Sequence, residues 1–223
     1  EELMWQASRR GIPVTIYRLG FVLCHSKTGV GNMEQLWSRL IKDCLVLGSY
    51  PSLTNLKGEF VTVDYASQAI SRLSRKADST GQVFHLVPSP EQNMTTDALF
   101  NIIAKCNPEY VLKRIPFLRW RKRLECYLAN NDGGLRLLLP LFKDSVDKDL
   151  SLFECCQRSP HYAVDNTRSA LKEVGVMELP INSVTIKKYI HYILGKNTTN
   201  AILRCIKIET VPQNDKKKFL NSQ

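Results

Sequence analysis

No stretch of the 223-residue chain approaches the about 18 uninterrupted apolar residues that a membrane-spanning helix needs. No basic-then-apolar segment resembles a secretory leader, so the expectation is a cytoplasmic protein with no membrane association. The seven cysteines, at 24, 44, 106, 126, 155, 156 and 205, include no C-x-x-C pair and no histidine at zinc-ligand spacing. That excludes a zinc module and leaves free thiols as the simplest reading; the neighbours Cys155 and Cys156 would bridge only with strain. There is no internal repeat and no Pro-rich or Gly/Ser-rich linker. What is present is a 43% hydrophobic chain, enough for one α/β unit or for a half-domain with a small satellite.

Glu1 to Arg10 followed by Gly11 reads as the last turns of an amphipathic helix closed by a left-handed glycine. The chain is therefore expected to be the back half of something larger. Pro13 to Tyr17 is a short β-rich run leading to Gly20, and the segment from Gly20 to Asn32 is a long turn-rich loop of the kind that carries function. Apolar spacing predicts a helix from Glu34 to Leu47 ended by Gly48. A strand follows over Glu59 to Val63, then a helix capped by Asp64. Gln82 to Val87 is apolar on both faces, as parallel strands are, with His85 as a core or strand-end histidine. Thr95 or Thr96 starts another helix, and Tyr110 to Ile115 is a further strand. Beyond Pro116 the periodicity is mostly helical, over Pro116–Asn130, Leu135–Phe142, Asp165–Val174 and Ile181–Leu194. A soft boundary falls near residue 90, and a strand over Ala201 to Ile208 is conceivable.

Several ordered segments together carry a family resemblance. Pro13-Val14-Thr15-Ile16-Tyr17-Arg18-Leu19-Gly20-Phe21-Val22, then His25-Ser26 and Thr28-Gly29, Leu36 to Gly48, Phe60 to Tyr65, Gly81 to Val87 and Tyr162 to Thr167 resemble the thioester reductase domain. That domain is an extended short-chain dehydrogenase/reductase found in nonribosomal peptide synthetases, related polyketide synthases and aminoadipate reductase. The resemblance spans residues 1 to about 195. It implies an α/β fold, the C-terminal part of a Rossmann-like doubly wound sheet with an α-rich substrate cap. Residues 1–90 would belong to the NADP-binding part and 91–196 to a substrate- and carrier-facing subdomain; beyond these the sequence loses its periodicity, and 197–223 reads as a disordered basic tail.

The resemblance also implies an NADPH hydride delivered to an acyl thioester on a phosphopantetheine arm, giving an aldehyde or an alcohol. Its glycine-rich pyrophosphate turn has no counterpart here, because Gly29-Val30-Gly31 lies in the wrong context. The proton-donating tyrosine with its lysine four residues on would fall before Glu1, and Tyr192 with Lys196 is a decoy because Gly195 breaks their helix. By itself the chain is expected to be inactive. Arg18, Leu19, Gly20, Phe21 and Val22 take the place where backbone groups meet the nicotinamide, with Leu19 standing where the family has proline. His25 and Ser26 are expected on the pyrophosphate or substrate side, or as plain loop residues.

The net charge of +10 is concentrated in Lys216 to Lys218 and in residues 113–123. There, Arg119, Arg121, Lys122 and Arg123 oppose an apolar face of Phe117, Trp120 and Leu124. No nucleic-acid module accompanies them, and the resemblance supplies a partner instead, an acidic carrier domain. The alternatives are a non-catalytic docking module and another extended reductase, such as a fatty acyl-CoA reductase or a sugar epimerase.

Overall fold

A computed structural model of the chain describes residues 1–195, apart from Thr54 and His161. Lys196, the conceivable strand at 201–208 and the basic tail at 197–223 lie outside the described residues.

Three parallel strand pairs organise the first half of the chain. β1 (Ile16–Leu19) pairs with β5 (Val83–Leu86), β2 (Phe21–Val22) with β4 (Phe60–Val61), and β3 (Ser49–Ser52) with β6 (Lys113–Pro116). Parallel partners need long crossovers. These are supplied by α2 (Leu36–Leu47), α3 (Val63–Leu73) and α4 (Thr96–Cys106). Gly48, at φ 62°, closes α2 in the left-handed conformation, as its position after the last apolar residue predicts. Gly11, at φ 87°, follows α1 (Glu2–Arg9) in the same way. The cap of α3 differs from the expectation. Thr62, not Asp64, accepts from Tyr65 N–H, and Asp64 lies in the first turn with its carboxylate turned to another task.

The rest is largely helical: α5 (Phe117–Asn130), α6 (Leu139–Lys143), α7 (Leu152–Cys155), α8 (Asp165–Glu173) and α9 over 183–195. An antiparallel hairpin, β7 (Ser145–Asp147) with β8 (Leu150–Ser151), interrupts them. Its turn uses Lys148 and Asp149 at φ 45° and 64° without a glycine.

The larger core joins α2, α4, α5 and α9 through residues such as Trp37, Leu40, Phe100, Trp120 and Tyr189. A smaller cluster, with Tyr65, Leu73, Phe84 and Leu171, packs α3 and α8 about β5. The outer edge of β5 is covered by side chains rather than by a strand. Asn166 Nδ2 donates to Val83 O (2.8 Å) and Thr167 Oγ1 accepts from His85 N–H (3.0 Å).

Candidate active site

The site begins where the chain changes strand partner. Gly20 N–H donates to Leu86 O (3.0 Å), the last bond to β5, and Phe21 N–H donates to Glu59 O (3.0 Å), the first beside β4. A Cβ on Gly20 would lie 2.2 Å from Glu59 O. The crossing between neighbours therefore requires glycine, whatever else approaches the turn. Leu19, Gly20 and Phe21 then line a cavity of about 590 Å³ at the carboxyl end of β1. Ligands of open parallel sheets gather in this position.

The other walls come from distant parts of the sequence. Leu36 and Trp37 of α2 line one side, Asn55, Leu56, Lys57 and Glu59 another, and Phe153, Cys156, Gln157, Ser159, Pro160 and Tyr162 the third. Trp37 packs edge-on to Phe60, with ring centroids 4.7 Å apart, and to Phe21 at 5.8 Å, bracing the floor. A capping box fixes the start of α7. Glu154 N–H donates to Ser151 Oγ, and Ser151 N–H donates back to Glu154 Oε2 (3.0 Å).

Of the residues expected at the site, Leu19, Gly20 and Phe21 meet in this cavity. Arg18 is exposed beside it, donating to both carboxylate oxygens of Glu1 (2.8 and 2.5 Å) and standing 2.9 Å from His85 Nε2. That bond holds the Glu1 carboxyl below its ordinary range. Burial and the Arg18 charge lower the His85 imidazole, whose ring stands 5.0 Å from that of Tyr162. Val22 faces the strand pair, and its carbonyl accepts from Gln35 Nε2 (2.9 Å).

His25 and Ser26 sit in the following turn, away from the residues that line the cavity. His25 Nδ1 accepts from Lys27 N–H (3.2 Å), and Ser26 donates to Asp64 through N–H (2.9 Å) and Oγ (2.6 Å). Burial opposes ionisation of Asp64, but these donors outweigh it and hold the carboxyl below its ordinary value. The glycines of this turn serve α9. A Cβ on Gly29 would lie 2.5 Å from the Lys188 backbone, and one on Gly31 would lie 2.9 Å from the Tyr189 ring.

A second hollow, of about 640 Å³, lies between β5 and α8 and is lined by Tyr65, His85, Thr167 and Glu178. Burial pushes the Tyr65 phenol up to about 12. Burial also raises the Glu178 carboxyl, which accepts from Ser89 N–H (3.0 Å).

The four basic residues of α5 do not form one free face. Arg121 pairs with Glu125 (3.7 Å), and Arg123 donates to Leu47 O (3.1 Å) at the end of α2. Arg119 and Lys122 are exposed. All six described cysteines are free thiols. Among the described residues no cluster could hold a metal ion, and no helix is long and apolar enough to cross a membrane.

Parallel strands ending at a cavity, with helices packed about them, define the class as a Rossmann-like α/β fold. An NAD-binding family model described as "Male sterility protein" matches residues 1–70. The chain is 33% identical over 186 residues to a non-canonical nonribosomal peptide synthetase, cpsA, of Aspergillus campestris, covering 81% of this chain and 17% of that protein. It is 32% identical over 201 residues to the aldehyde reductase lnaA of Aspergillus flavus, covering 86% and 19%. The terminal R domain of the myxalamid PKS-NRPS pathway superimposes with a TM-score of 0.70 at 31% identity, over 86% of this chain and 46% of that one. A thiolation-reductase di-domain of an archaeal nonribosomal peptide synthetase shares the fold, with a TM-score of 0.65 at 18% identity, over 90% of this chain and 39% of that one. The chain is thus related to the reductase domains of nonribosomal peptide synthetases. It spans less than a fifth of the length of these two curated relatives.

Sequence reasoning missed Trp37, Glu59, Phe153 and Tyr162 as cavity residues. Tyr162 had a signal, as the first residue of the Tyr162–Thr167 segment in the resemblance. Glu59 had none, because a left-handed non-glycine residue leaves no mark in the sequence.

Proposed function

We propose that the chain forms the nicotinamide-facing floor and the substrate cap of an NADPH-dependent thioester reductase. The enzyme would release an acyl or peptidyl group from a carrier-bound phosphopantetheine thioester as an aldehyde or an alcohol. Residues 1–90 would serve the cofactor side and residues 91–196 the substrate and carrier side. The observation that carries this reading is the emergence of Leu19-Gly20-Phe21, at the carboxyl end of a parallel strand, into a cavity closed by Phe153 and Tyr162.

The residues fit one end of the cofactor. Leu19 and Phe21 offer an apolar wall for a flat ring, and the cofactor would supply a hydride there. They do not fit the pyrophosphate, since the space beside Gly29 and Gly31 is filled by α9. Docking of an acidic carrier is assigned to Arg119 and Lys122, because Arg121 and Arg123 are engaged within the chain. Electrostatic steering of this kind acts mainly on the encounter rate.

The test is aldehyde formation coupled to NADPH loss, measured on a reductase that carries this chain and given a loaded carrier. Stoichiometric formation of aldehyde or alcohol is expected; unchanged NADPH in the presence of loaded carrier would overturn the reading. Titrated alone, the chain should bind NADPH weakly. Tight one-to-one binding would contradict the assignment of the pyrophosphate grip to other residues.

A further inference from the structure

Glu59 is built into the cavity wall with more care than a surface carboxylate needs. Its backbone is left-handed, at φ 44°, a conformation that non-glycine residues hold only when their surroundings impose it. Here the surroundings do so. Glu59 N–H donates to Asn93 Oδ1 (3.2 Å), and Glu59 O accepts from Phe21 N–H (3.0 Å). The preceding Gly58 N–H donates to Met94 O (2.8 Å), and Lys57 bridges Thr95 in antiparallel fashion. A Cβ on Gly58 would lie 1.9 Å from the Phe60 ring. With both its N–H and its C=O tied, Glu59 has a fixed Cα–Cβ direction, and the residue is part of the cavity lining.

Glu59 is the only acid among the described residues lining that cavity. Phe21 and Tyr162 bring partly exposed rings to the same space, at 41% and 39% exposure. Aromatic faces and a carboxylate together recognise a positively charged nitrogen. The rings attract it through their quadrupoles, and the carboxylate through a charge-assisted hydrogen bond. Burial raises the Glu59 carboxyl above its ordinary value, and the charge of Lys57 on the same wall offsets part of that rise.

We propose that Glu59 is a specificity residue that selects acyl groups bearing a cationic nitrogen, held between its carboxylate and the rings of Phe21 and Tyr162. The proposal rests on reading this cavity as the site of thioester reduction. A site built to pair a polar group rejects the analogue that lacks it more strongly than an apolar pocket rejects a missing methylene.

Glycyl-pantetheine and acetyl-pantetheine share a skeleton and differ in the ammonium group. On a reductase carrying this chain, kcat/KM should favour the glycyl thioester by about tenfold or more. Glu59→Gln should remove most of that preference and leave the acetyl thioester within about twofold. Equal kcat/KM for the two thioesters, or equal losses on both in Glu59→Gln, overturns the proposal. Calorimetry on the chain itself, with the non-reducible S-aminoethyl and S-ethyl thioethers of pantetheine, separates this proposal from the reading beneath it. Preferential binding of the aminoethyl compound, lost in Glu59→Gln, supports the cation site even if no thioester is reduced. No preference, or no binding of the aminoethyl compound, overturns it even if reduction proceeds. Should the Gln variant fail to fold, Tyr162→Leu carries the same comparison, with the same expected loss of preference.

Discussion

Asp43, 1% exposed, ties the turn after α5 to α2, accepting from Gly134 N–H (3.1 Å) and Leu135 N–H (2.8 Å). Burial raises its carboxyl, and the two donors pull the other way. Asp43→Ala would orphan both N–H groups at about 1–3 kcal/mol each. Urea melts should therefore show a large loss for Ala and a smaller one for Asn, which keeps an acceptor. An Ala variant within about 0.5 kcal/mol of wild type would sink this account. Asp64 makes a prediction in pH. Its folded carboxyl is held below the unfolded value of about 3.9, so it contributes stability above that value. The contribution fades as pH falls through the depressed folded value. Urea midpoints between neutral and acid pH should fall more steeply for wild type than for Asp64→Asn; parallel slopes would show that the Ser26–Asp64 pair does not hold the turn.

α5 divides its work by face. Leu124, 0% exposed, and Trp120, whose indole N–H donates to Ser49 O (3.2 Å), face the core. Leu124→Ala should cost about 2–5 kcal/mol in a thermal or urea melt. Reversing Arg119 and Lys122 to Glu should leave stability within about 0.5 kcal/mol. The same pair should slow association with an acidic carrier and flatten its dependence on salt. Stopped-flow association rates that match wild type at low salt would remove α5 from the docking surface. The two faces of α5 were legible in the sequence, because Phe117, Trp120, Leu124 and Tyr127 recur at helical spacing. The engagement of Arg121 and Arg123 was not, because it depends on Glu125 adopting a particular rotamer and on α2 ending beside α5. Asp64 shows the same limit. Thr62 and Asp64 are both good capping residues, and only the position of Ser26 decides that the carboxylate serves the loop.

Across the molecule, most of the helices and the parallel strands β1, β4, β5 and β6 were legible, since burying one face or both writes a period into the sequence. β3 escaped because Pro51 reads against a strand, and the β7–β8 hairpin because Lys148 and Asp149 turn without glycine. The floor of the cavity was legible in Leu19-Gly20-Phe21. Its opposite wall was not, because Phe153 and Tyr162 lie more than a hundred residues away in segments without periodicity. One further test belongs to this scale. Asn166→Ala with Thr167→Val should strip the cover from the outer edge of β5 and increase self-association in light scattering; a variant that stays as dispersed as wild type would show that the edge needs no cover. Where the cover sits also fixes how this sheet can be continued. β5 is a finished border, while β1, which pairs only with β5 among the described residues, keeps its other margin as a seam. Any additional strand, from this polypeptide or from another, has one side on which to join, and it is the side next to the turn that opens into the cavity.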